Sequence, residues 1–182
     1  MTLPVMIPHA LVPFGNAPGD ARFRLTAMAR RREGWLDFRY DLRGPLAELV
    51  VPPPVTAPER RDGLWQGTCF EAFLARPGAE GYHELNLSSA GHWNLYRLDG
   101  YRRGLRPEPA QTALPFQLLG EADHLALAFS LDLGPLQLAE TPLELGLTTV
   151  LEHGDGRCSY WALSHPGPEA DFHARQSWRL RF

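Results

Sequence analysis

The chain contains no lysine: all 18 of its basic residues are arginine. Against 21 acidic residues they leave a formal charge of −3, with no positive excess to follow a nucleic-acid backbone. No nucleic-acid partner is expected. Abundant Ala, Pro, Gly and Leu beside the missing lysine read as a compositional bias of the genome. The one dense basic run, Arg30 to Arg32, reads as a solvated turn. Long apolar runs are lacking too, since no stretch reaches the ~20 residues of a membrane-spanning helix. The amino-terminal "MTLPVMIPHALVPF" has no basic start and is broken by Pro4 and Pro8, unlike a secretion signal. No membrane partner and a cytoplasmic location are the expectations that follow. Cysteine occurs twice, at Cys69 and Cys158, and both read as reduced, partly buried thiols.

What the chain does have is alternation. Its 182 residues, 44% of them hydrophobic, suit one compact domain over 1–182 with a core of its own. Residues 22–30 put Phe23, Leu25, Ala27 and Ala29 on one face, and 35–43 do the same with Leu36, Phe38, Tyr40 and Leu42. A four-residue turn, Arg31 to Gly34, would pair Ala29 with Leu36 and Ala27 with Phe38. A similar turn over 120–123 would pair Phe116 with Leu127 and Leu118 with Leu125. Residues 143–152 and 157–163 suggest a third hairpin around "HGDG". The closing "WRLRF" places Trp178, Leu180 and Phe182 on one face. Segments 44–63 and 102–115 are proline-rich connections, and no segment has a helical period with caps. About ten short strands with Pro/Gly turns predict an all-β, antiparallel β-sandwich, immunoglobulin-like or jelly-roll-like.

The block "TCFEAFLARPGAEGYHELNLSSAGHWNLYR" carries the chemistry. Phe70, Ala72 and Leu74 share one face of its first strand, and Cys69, Glu71 and Phe73 share the other. A three-residue loop, Ser89-Ala90-Gly91, needs glycine at its third position. That register pairs Leu87 with Trp93, Asn86 with Asn94, Leu85 with Leu95 and Glu84 with Tyr96. If the aliphatic faces share a core, Glu71, Glu84, Asn86, Asn94 and Tyr96 meet on the opposite face. Two carboxylates, two amides and a phenol beside aromatics are suited to orienting a small polar ligand. Trp65, Tyr82, Tyr96, Tyr101 and Trp161 are candidate aromatic platforms, whereas Trp93 reads as core.

In these residues the sequence also resembles a family. "LWQGTCFEAFL", "YHELNLSSAGHWNLYRLDGYR" and "YWALSHPGPEADFH", in that order, are similar to bacterial DOMON-like proteins, relatives of the family 9 carbohydrate-binding modules. The matching positions include Trp65, Phe70, Glu71, Glu84, Asn86, Gly91, Trp93, Tyr96, Arg97 and Tyr101. Further on they include Trp161, His165, Pro166, Asp171, Phe172 and His173. The resemblance covers roughly residues 60–182. It implies a β-sandwich that binds a ligand without chemistry, a saccharide in some branches and haem in others. Two departures stand out: no tryptophan pair is marked to sandwich a sugar, and no acidic cluster reads as a calcium site.

The expectation is a non-catalytic module binding a saccharide or similar polar ligand, with no resident cofactor or metal. Its expected site comprises Glu71, Glu84, Asn86, Asn94, Tyr96, Trp65, Tyr101, Trp161, His165 and His173. Three alternatives stand beside it. A haem domain would draw axial ligands from His153, His165, His173 and a methionine, of which Met28 faces outward and Met1 and Met6 are terminal. A glycosidase would use Glu71 and Glu84 as paired carboxylates. A protein-interaction module would use exposed aromatics. The sequence specifies no oligomeric state.

Overall fold

A computed structural model describes residues 6–15 and 17–182. Met1 and Pro4, weighed above, lie outside the described residues. Twelve strands alternate with turns and a few three-residue 3-10 helices. They are β1 (His9–Pro13), β2 (Arg24–Arg32), β3 (Trp35–Arg43), β4 (Cys69–Ala75), β5 (Tyr82–Ser88) and β6 (Trp93–Leu98). Then come β7 (Arg106–Pro107), β8 (Phe116–Gly120), β9 (His124–Asp132), β10 (Glu144–Glu152), β11 (Cys158–Ala162) and β12 (Leu180–Arg181). All pairings between these strands are antiparallel. One layer runs β1-β2-β3-β9-β8 and the other β7-β6-β5-β4-β10-β11-β1. β1 joins the layers, because His9–Leu11 pair with β2 while Val12 and Pro13 pair with β11. The antiparallel β-sandwich expected from the alternation is therefore closed along one side by a shared strand.

The expected faces hold even where the partners differ. In β2–β3 the loop is two residues, not four, so Ala29 meets Phe38 and Ala27 meets Tyr40. Gly34, at φ +77°, lets the chain turn that tightly. In β8–β9 Gly120 meets Leu125, and Phe116 meets Phe129. Both registers are displaced by two residues, which preserves the face of every side chain. The β5–β6 hairpin has the expected partners throughout. The β10–β11 hairpin forms around "HGDG" as expected, with Glu152 opposite Cys158, and its turn closes with the His153 amide donating to the Arg157 carbonyl at 2.8 Å.

Two expectations need correction. Arg30 to Arg32 are not a solvated turn. Arg30 and Arg32 both hydrogen-bond the Asp37 carboxylate across the hairpin, and the Arg31 guanidinium donates to the Leu138, Ala139 and Thr141 carbonyls. The tight loop brings Arg30 opposite Asp37, a placement that a four-residue turn would deny it. Nor does Trp178 share a face with Leu180 and Phe182. A 3-10 turn at Arg175–Ser177 rotates the chain before it, so Leu180 and Phe182 pack on the main core while Trp178 joins a second cluster.

The main core fills the space between the layers, with Leu25, Phe38, Tyr40 and Phe129 from one facing Phe70, Leu85, Leu95 and Leu147 from the other. Tyr40 also ties the layers together: its hydroxyl donates to the Glu71 main-chain carbonyl at 2.5 Å. Tyr40→Phe should keep the packing, lose that bond and lower the unfolding free energy by about 1–2 kcal/mol in a urea titration.

Beneath the site the layout is less ordinary. Every residue of β4 is buried, including Cys69, Glu71 and Phe73, which point away from the main core. Two segments cover this outer face. Residues 59–66 lie over β6, and residues 170–178 lie over β4 and β5. The second segment is seated by Trp178, packed with Phe73 and Tyr82 at ring distances of 5.8 and 5.5 Å. Gly146 makes room for it, since a Cβ there would stand 2.5 Å from the Trp178 ring.

Candidate functional site

Where the two covering segments leave a gap, a cleft of about 370 Å³ opens over the sheet. Its floor carries Glu71 of β4 and Glu84 of β5, and Val150 of β10 also lines it. Its sides carry the aromatic rings of Trp65, Phe73, Tyr160 and Phe172, together with Arg102 and His173. Trp65 and Tyr160 are the accessible rings, at 36% and 41% exposure. Glu71 and Glu84 project the same way because strand alternation fixes it: Glu71 is opposite Asn86, two residues from Glu84 along β5.

The acids are deeply placed. Glu71 is 1% exposed and Glu84 5%. Glu71 Oε2 accepts from the Thr148 hydroxyl at 3.2 Å, while its Oε1 has no partner. Glu84 Oε1 accepts from the Asn86 amide at 3.0 Å. The other Glu84 oxygen faces His173 Nε2 at 3.9 Å, too far for a hydrogen bond. Burial pushes the Glu71 carboxyl well above the ordinary carboxylate range, and the negative charge of Glu84 adds to the effect. Burial also raises Glu84, against the opposing effects of the Asn86 hydrogen bond and the Arg102 charge. Together the two acids retain protons more readily than free carboxylates do.

His173 is held by its neighbours. Burial, reinforced by the Arg102 charge, brings its pKa down to about 4, so the ring is neutral at physiological pH. Tyr82 hydroxyl and His173 Nδ1 are 2.7 Å apart. That hydroxyl also accepts from the Arg102 amide at 3.2 Å, and the other ring nitrogen of His173, Nε2, faces Glu84. Arg102 has its backbone at φ +51°, in the left-handed region, and its guanidinium pairs with Asp171 at 3.0 Å.

The residues expected for a site thus divide. Glu71, Glu84, Trp65 and His173 come together at the cleft. Asn86 supports it from below through Glu84. Asn94 and Tyr96 are on the expected face, but their hydrogen bonds go to the protein. The Asn94 carbonyl oxygen accepts from Arg60, and the Asn94 amide and the Tyr96 hydroxyl both donate to one Asp62 oxygen. They fasten the 59–66 segment that carries Trp65. Tyr101 lies at the outer rim, donating to Asp171. Trp161 is not a platform: it is buried in the main core, with its indole N–H on Ser159. His165 binds the Val12 carbonyl and packs edge-on against Phe14, beside β1. The residues missed were Phe73, Arg102, Val150 and Tyr160, together with the roles of Phe172 and Asp171. Alternation could have found Val150 and Tyr160, which pair on the same outer face as Glu71.

Among the described residues, no group of three or more His, Cys, Asp or Glu side chains is placed to hold a metal ion. Likewise, no helix is long and apolar enough to cross a membrane.

No protein-family model matches the chain, and no curated protein matches its sequence. Solved structures do match it in shape. It is similar to a "putative carbohydrate-binding protein" from Bacteroides uniformis, with a TM-score of 0.67 and 11% identity over 96% of this chain and 84% of that one. It is also similar to a family 9 carbohydrate-binding module from Caldicellulosiruptor kristjanssonii, solved with cellotriose. There the TM-score is 0.54 and the identity 10%, over 87% of this chain and 72% of that one. The fold is shared. At these identities the likeness extends no further than the fold.

Proposed function

We propose that this chain is a non-catalytic binding module whose cleft over Glu71 and Glu84 takes a small saccharide. The observation that carries the reading is an unpartnered, buried carboxyl oxygen of Glu71 in a cleft bordered by accessible tryptophan and tyrosine rings. Buried polar atoms without partners are costly, and a ligand hydroxyl would satisfy this one. The rings supply flat apolar faces for the C–H side of a sugar. About 370 Å³ lies at the small end of the range for small-molecule sites, which suits one or two sugar rings. Cellotriose in the fold neighbour from Caldicellulosiruptor kristjanssonii supports the same class of ligand.

Turnover finds no support in this geometry. Glu71 and Glu84 stand side by side in one floor, whereas paired glycosidase carboxylates flank the scissile bond. Nor does the geometry favour haem. His165 and His173 lie at different places in the fold, and no methionine among the described residues lines the cleft. The two free cysteines support action in the reducing cytoplasm.

The test is the melting temperature with and without a panel of mono- and disaccharides. A sugar at about 100 times its Kd should add about 2.7 kcal/mol, which moves a domain of this size by several degrees. Trp65→Ala should remove the shift. If every sugar leaves the transition in place, or if Trp65→Ala keeps the full shift, the assignment to this cleft fails.

A further inference from the structure

Apart from the proton that its two acids retain, the cleft floor offers acceptors rather than donors. Glu71 Oε1 and, beneath the floor, Asn86 Oδ1 are both buried without partners, and Glu84 Oε2 has His173 Nε2 opposite it at 3.9 Å, too far for a hydrogen bond. Arg102, the one cationic side chain among the described residues of the lining, is already committed to Asp171. Two acids therefore face the cleft with no free cation to answer them.

Resting on the saccharide reading above, we infer that the preferred ligand bears a free ammonium group: an amino sugar, seated with its ammonium against Glu71 and Glu84. A hydroxyl brings lone pairs along with its proton and would set some of them against acceptors. An ammonium brings three donors and no acceptor. It also supplies the countercharge that a buried carboxylate pair lacks, and such a charge is worth most where water is excluded. The surrounding Trp65, Tyr160 and Phe172 rings present electron-rich faces, which attract cations. An acidic sugar would do the reverse, setting a carboxylate beside Glu84.

The seating of a cation has a proton consequence. Glu71 is faced by Glu84 from β5 and Thr148 from β10, with Cys69 beside it on β4 and the Tyr40 hydroxyl on its own carbonyl. Glu84 is faced by Arg102 and His173, with Asp171 behind them. Among the described residues the only cationic side chain near the pair is therefore Arg102, and an ammonium entering between the acids should displace a proton that they hold.

Isothermal titration with glucosamine, glucose, N-acetylglucosamine and ethanolamine tests this, at about pH 6 so that the amines are charged. Expected is at least a ten-fold preference for glucosamine over both neutral sugars. Its heat should differ between buffers of unlike ionisation enthalpy, showing proton release. Glu84→Gln, with folding checked by melting, should collapse the ten-fold ratio. Equal binding of all three sugars would overturn the ammonium inference and leave the saccharide reading intact. Binding of ethanolamine with none of the sugars would do the opposite. No binding by any of the four would overturn both.

Discussion

Trp178→Ala should lower the unfolding free energy by about 3–5 kcal/mol, the usual cost of truncating a buried tryptophan. That is a large share of the roughly 5–15 kcal/mol by which a domain is stable. The ring is 1% exposed, lies in the hollow left by Gly146 and packs on Phe73 and Tyr82. Its indole N–H donates to the Phe172 carbonyl at 2.9 Å, and the Arg175 guanidinium lies 5.3 Å from the ring centre. Losing it removes the seat of the 170–178 segment, so Phe172 and His173 should lose their places at the cleft. Ligand affinity should then fall together with stability, although Trp178 is not among the lining residues. Gly146→Ala is the complementary variant. A Cβ at 2.5 Å from the ring should overpack the same contact, at a cost of about 1–3 kcal/mol. Denaturant titrations of both variants check this. A Trp178→Ala protein within about 1 kcal/mol of the parent would mean that the segment is held by something else.

Glu71→Gln should separate stability from binding. Its folded-state carboxyl is raised by burial and by Glu84, so between the ordinary carboxyl pKa and the raised value the folded chain binds more protons than the unfolded one. Stability contributed by this group is complete below the ordinary value and is lost as pH rises toward the folded one. A difference of one proton corresponds to a slope of about 1.4 kcal/mol per pH unit. Glutamine of the same size stays neutral, and its amide can donate toward the unpartnered Asn86 Oδ1 on the facing strand. The variant should therefore match the parent in mild acid and exceed it in mild base, with a flatter pH profile. Binding should weaken at least ten-fold, because an acceptor for the ligand has become an amide. Parallel urea titrations at about pH 5 and pH 8 decide it. Equal stability of the parent at both pH values would show that water or a counter-ion already satisfies the acids.

How much of this was legible in the sequence depends on the range of the signal. The β5–β6 pairing was fully legible, because Gly91 at φ +94° fixes a three-residue loop and the loop fixes every partner beyond it. The β2–β3 faces were legible but not their partners: Glu33-Gly34 can close a tighter loop than the charged run around it suggests. Glu71, Glu84 and Asn86 were placed on one face correctly. Asn94 and Tyr96 were read as ligand contacts, because nothing in alternation shows that Arg60 and Asp62, more than thirty residues away in the chain, use their polar atoms. Trp161 was misread for a similar reason. The alternation along β11 that sends Tyr160 outward also sends its neighbour Trp161 into the core once the strand is paired with β10.

The sequence alone determined the all-β antiparallel sandwich and the side of the sheet on which each residue of β4, β5 and β6 lies, since a period of two is a local property of the backbone. Only the tertiary structure decided what lies against that side. Residues 59–66 and 170–178 return over the outer face from both directions along the chain. They bury what alternation alone would leave open, and they leave one gap above two acids. Period two distinguishes one face from the other, but it cannot distinguish water from protein as the covering. That depends on contacts between residues tens of positions apart, such as Trp178 on Gly146 and Asp62 on Tyr96, and these contacts turned a polar face into a cleft.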